Sequence, residues 1–80
     1  MNYDSLLAGI LIRNLRKEKG LSQEVLSGLA GVTRSHLAMI ENGKKQPTVK
    51  TLWAITEALQ MPLSKFFCMI EDQSHSNGGM

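Results

Sequence analysis

Eighty residues leave room for one small domain and no second, because a single hydrophobic core serves chains of roughly 50–200 residues. With 42% hydrophobic and 20% charged residues, the chain lies outside the low-hydrophobicity, high-charge range of disordered proteins. The net charge of +2 conceals an asymmetry: Arg13 to Lys50 carries eight Lys/Arg against three Glu, and the remainder one Lys against four acids. A basic middle between neutral or acidic ends suits a local contact with a polyanion.

Asp4 or Ser5 can cap a first helix running to about Lys19, with apolar positions at Leu6, Leu7, Ile10, Leu11, Ile12 and Leu15. Gly20 is placed to end it in a left-handed conformation. Ser22 caps a second helix that buries Leu26, Leu29 and Ala30 and stops at Gly31; Thr33 caps a third, from Arg34 to about Asn42, before Gly43. Two short helices joined by a tight glycine-containing turn form a helix-turn-helix signature. After the polar loop Lys44-Lys45-Gln46-Pro47, Thr48 caps a fourth helix with Val49, Leu52, Ile55, Ala58 and Leu59 on its apolar stripe, ending at Met61-Pro62. Pro62 opens a fifth helix through about Ile70. No segment alternates as a strand does, so the expected fold is all-α with five helices. Residues 1–72 form the expected domain, and 73–80 a disordered tail.

The third helix carries the most informative chemistry. At about 100° per residue, Leu37 and Ile40 project from one side, with Ser35, Ala38, Met39 and Asn42 roughly opposite. That outward face is short, polar and free of acids, with Arg34 in its first turn, as suits a helix entering a major groove by its N-terminal end. Arg34 can donate two parallel hydrogen bonds to guanine O6 and N7, Ser35 can donate or accept at a base edge, His36 can reach a phosphate or a base, and Met39 can touch a thymine methyl. Gln23 and Thr33, at two helix N-termini, and Asn42, Lys44 and Lys45, beyond the third helix, are the candidates for holding the phosphate backbone.

The stretch Leu21-Ser22-Gln23-Glu24-Val25-Leu26, then Ala30-Gly31-Val32-Thr33-Arg34, Leu37, Ile40-Glu41-Asn42-Gly43-Lys44 and Pro47, resembles the Cro/C1-type (XRE) helix-turn-helix family of phage repressors and their bacterial relatives. The likeness runs from about Ile12 to Phe67. It implies a lambda-repressor-like DNA-binding domain, with Gln23, Thr33, Asn42 and Lys44 at phosphate-contacting positions and Arg34, Ser35, His36 and Met39 at base-reading ones. It also implies an ion pair between Arg16 and Glu41 that holds the reading helix to the scaffold. The short length is similar to that of restriction-modification controller proteins and stand-alone phage repressors. Two features depart from the pattern: Ile10-Leu11-Ile12 in the first helix, and Phe66-Phe67-Cys68-Met69-Ile70 in the fifth. Both can be buried in a homodimer, with Phe66, Phe67, Met69 and Ile70 as the interface, or complete the monomer core.

The expected partner is therefore double-stranded DNA, bound by a homodimer at a pseudo-palindromic operator whose half-sites lie about 34 Å apart, and the expected role is transcription regulation. The alternative is an antitoxin-like or anti-repressor module that uses the same fold to bind another protein through helix 5 or the tail. An enzyme is not expected, since no Ser-His-acid group, carboxylate pair or phosphate-cradling loop occurs. No cofactor or metal is expected, because His36, Cys68 and His75 match no zinc spacing. No small-molecule ligand is expected either, as five short helices leave little room for a pocket of roughly 300 Å³ or more. Cys68 alone permits no disulfide framework, which suits a cytoplasmic protein, and the start Met1-Asn2-Tyr3-Asp4 lacks the basic region of a signal peptide; no membrane span is expected.

Overall fold

The computed structural model describes residues 5–78, with backbone alone for Ser5 and 74–78. Five helices follow in order: α1 (Ser5–Glu18), α2 (Gln23–Ala30), α3 (Arg34–Glu41), α4 (Val49–Ala58) and α5 (Leu63–Gly78), with no strand among the described residues. Helices α2, α3 and α4 start as the sequence indicates. The Ser22, Thr33 and Thr48 hydroxyls accept hydrogen bonds from the amides of Val25, His36 and Thr51 at 3.0–3.1 Å, satisfying one otherwise unpaired donor at each N-terminus. The Asp4 cap lies outside the described residues.

All of the first four helices end in the same device. One residue turns left-handed, and its amide and the next one reach back, as in Leu21 N–H to Arg16 C=O and Val32 N–H to Ser27 C=O. Gly20, Gly31 and Gly43 occupy the left-handed position in α1, α2 and α3, at φ of 70°, 74° and 79°. In α4 that position falls to Gln60 at φ 61°, and Met61 N–H returns to Thr56 C=O at 3.0 Å. The chain therefore stops α4 before Met61-Pro62, where the sequence reading placed the end.

Helix α5 departs from expectation. It runs through Gly78, past the predicted end near Ile70, so helical backbone occupies most of the segment expected as a disordered tail. Its buried residues explain where it docks: Phe66 and Ile70, one turn apart, are 0% and 4% exposed and join Leu11, Ile12, Leu26, Leu37, Ile40, Leu52, Ile55 and Leu59 in one core. Phe66 and Ile70 thus complete the monomer and cannot present themselves to a partner, which corrects their expected place in a dimer interface. Leu11 and Ile12 are likewise enclosed. Conversely, Leu29 and Val49, expected on buried stripes, are both 62% exposed.

Helices α1 and α3 meet unusually closely at Gly9. A Cβ there would run into the main-chain carbonyls of Ile40 and Glu41, the latter oxygen at 2.7 Å. Only glycine lets the two backbones approach this far.

Candidate nucleic-acid interface

The junction of α1, α2 and α3 is fixed by a buried polar network. Arg16 Nε donates to Glu41 Oε2 at 2.8 Å and Arg16 Nη2 to Glu41 Oε1 at 3.1 Å, a two-pronged ion pair with both side chains buried. Arg16 Nη1 donates to the carbonyl of Leu21 at 2.8 Å, which ties the α1–α2 turn to the same guanidinium. Gln23, the first residue of α2, donates from Nε2 to Glu41 Oε1 at 3.1 Å. The pair implied by the family resemblance is thus a shielded lock joining three helices, not two solvated charges. Its removal from one side would strand a buried charge.

Around this lock, α3 divides its residues by face. Leu37 and Ile40 are fully buried, whereas Arg34, Ser35, Met39 and Asn42 are exposed, and His36 and Ala38 are half-buried. The exposed face begins at the N-terminal turn, where the Thr33 hydroxyl already accepts from the His36 amide at 3.0 Å and keeps its own O–H free to donate. At the other end, Asn42 Oδ1 accepts from the Lys44 amide at 3.1 Å, which fixes the turn and leaves the Asn42 amide nitrogen as the outward group. Lys44 and Lys45 follow as exposed cations. Thr33, Asn42, Lys44 and Lys45 therefore lie at the two ends of α3, and Gln23, at the start of α2, is drawn partly inward by Glu41.

Among the residues expected at a dimer interface, Phe67 and Met69 remain partly exposed, and Phe67 meets Phe66 edge to face with ring centroids 6.1 Å apart. One large uncovered apolar side chain absent from the expected stripes lies on α4. Trp53 is 61% exposed, close in extent to Val49. The exposure of neither has a sequence signal, since an apolar stripe cannot show which of its edges stays uncovered. Gly9 did have one: a glycine inside a helix costs about 1 kcal/mol relative to alanine and so marks a close approach.

An open cleft of 330 Å³ lies between Arg13, Lys17, Gln23 and Asn42, above the Arg16–Glu41 pair. Among the described residues, no three potential ligands group to hold a metal, and no helix is long and apolar enough to cross a membrane.

Comparison with known proteins agrees with this geometry. Residues 12–66 match the profile of the Helix-turn-helix family HTH_3. The ImmF control region 10 kDa protein of Bacillus phage phi105 is 37% identical over 76 residues, covering 95% of this chain and 83% of that protein. The restriction-modification controller protein C.AhdI of Aeromonas hydrophila superposes with a TM-score of 0.77 at 32% identity, over 79% of this chain and 96% of that one. The controller C.Esp1396I, solved as a tetramer in complex with its natural 35 base-pair operator, gives a TM-score of 0.80 at 26% identity, over 90% of this chain and 95% of that one. Two other curated relatives, the transcriptional regulators SutR and PuuR of Escherichia coli, are longer, and the chain spans 31% and 36% of their length. The chain belongs to the HTH_3 helix-turn-helix family, the Cro/C1 (XRE) type of DNA-binding transcription regulator.

Proposed function

We propose that the protein is a sequence-specific regulator that binds a pseudo-palindromic operator as a homodimer, each subunit laying α3 in the major groove. The observation that carries this reading is the division of α3: Leu37 and Ile40 are closed into the core while Arg34, Ser35 and Met39 stand exposed on a helix held by a buried ion pair. Arg34 reads guanine through O6 and N7, Ser35 and His36 contact neighbouring base edges, and Met39 meets a thymine methyl. Thr33 and Asn42 each retain a donor after their internal bonds, and with Gln23, Lys44 and Lys45 they hold the sugar-phosphate backbone and set register.

The dimer buries Phe67 and Met69, which α5 leaves partly exposed, together with Trp53 and Val49, exposed one turn apart on α4, because a contiguous uncovered apolar patch marks an interaction surface. The operator-bound tetramer of C.Esp1396I supports assembly on DNA. A twofold axis then sets the two α3 helices about 34 Å apart, one turn of duplex.

Selection from a random duplex library with wild type and Arg34→Ala, at one fixed salt concentration, tests the reading. An inverted repeat with half-sites about one turn apart is expected, with one base preference lost in the variant and about 1–3 kcal/mol of specific binding removed. No enrichment over random DNA would overturn it in favour of a protein-interaction module.

A further inference from the structure

The open cleft above the Arg16–Glu41 pair is asymmetric in its chemistry. Its buried acceptors are already engaged: both Glu41 oxygens take bonds from Arg16, and Oε1 also takes one from Gln23. Asn42 Oδ1 is held by the Lys44 amide. What faces the opening is a set of donors. Arg13 and Lys17 stand four residues apart on the exposed side of α1, and among the described residues neither has a carboxylate partner. The Gln23 amide nitrogen keeps a second N–H, and the Asn42 amide nitrogen carries no internal bond. Two like charges at this spacing on one helix repel each other unless an anion lies between them.

We infer that this cleft is a seat for a backbone phosphate of the bound duplex, with Arg13 and Lys17 of α1 as its cationic contacts beside Gln23 and Asn42. The inference rests on the DNA-binding reading above and extends the contact surface from α2 and α3 onto α1. Continuity supports it, because Gln23 and Asn42 belong both to the cleft and to the flanks of the reading helix. The Arg16–Glu41 pair acts here as a positioning element: by consuming the acceptors and drawing Gln23 inward, it leaves the cleft rich in donors. The phosphate carries no base identity, so the contact sets register and affinity without reading sequence.

The test compares Arg13→Gln, Lys17→Gln and Lys65→Gln, each removing one exposed charge, with Lys65 on α5 as the control outside the cleft. Binding of the selected operator and of a random duplex is measured over a range of salt concentrations. Each cleft variant is expected to weaken both duplexes by the same factor and to flatten the slope of log K against log salt by about 1, while Lys65→Gln leaves the slope unchanged. A duplex carrying one uncharged methylphosphonate linkage, moved stepwise through a half-site, locates the contact. One position should weaken the wild type yet leave Arg13→Gln/Lys17→Gln unaffected. Wild-type slopes in the cleft variants, or equal flattening by Lys65→Gln, would overturn the inference while the DNA-binding reading stands. If the wild type binds no duplex, both fall together.

Discussion

The α1–α3 junction and the α4–α5 junction hold helices by different physics. At the first, Gly9 brings two backbones into contact and Arg16, Glu41, Gln23 and the Leu21 carbonyl interlock through bonds of 2.8–3.1 Å. At the second, Ile55, Leu59, Phe66 and Ile70 pack as apolar volume. Hydrogen bonds weaken steeply with angle and distance, so the first junction fixes orientation, whereas apolar packing constrains volume and tolerates rearrangement. A helix that must present a guanidinium to a base edge needs the first kind of support. The second kind suffices for a scaffold and for assembly.

The largest effect comes from breaking the lock on one side. Glu41→Ala leaves Arg16 buried without its partner and should cost about 3–5 kcal/mol in urea unfolding. Replacing both partners, as Arg16→Met/Glu41→Leu, should recover most of that stability and still lose operator affinity, since Gln23 and α3 are no longer held. Gly9→Ala comes next: a methyl driven against the Ile40 and Glu41 carbonyls should cost about 1–3 kcal/mol or more, read as a lowered Tm. In the apolar half a conservative swap should be milder. Ile55→Leu is expected to cost under about 1.5 kcal/mol with the duplex-binding constant unchanged. The smallest effect is a gain. Gln60 sits at φ 61° where glycine carries no Cβ penalty, so Gln60→Gly should stabilise the protein by about 1 kcal/mol in thermal unfolding.

The sequence made the helix ends legible wherever the residue itself carries the signal. Ser22, Thr33 and Thr48 announce N-caps, and Gly20, Gly31 and Gly43 announce left-handed stops. Gln60 makes the same stop without glycine, so the sequence marks the end of α4 only by the proline two residues on. Core membership was legible as periodicity but not as depth. Phe66 and Ile70 share one face of α5 with the right spacing for either a core or an interface, and only the position of α5 against the other four helices settles that they are enclosed. Leu29 and Val49 show the reverse error, because an apolar stripe can be wider than the neighbour that covers it. The cleft beside Gln23 is illegible in the sequence, since it depends on Arg13 and Lys17 arriving beside Gln23 and Asn42, two residues from later and separate helix ends.

The division of labour between the two halves is tested most directly by titrating ¹⁵N-labelled protein with the selected duplex and following each backbone amide. Shifts are expected to concentrate at Gln23, Thr33 to His36 and Asn42 to Lys45, with smaller ones along α1 at Arg13 and Lys17 and little change at Phe66 and Ile70. Shifts centred on α4 and α5, with the N-terminal turn of α3 unmoved, would contradict that division.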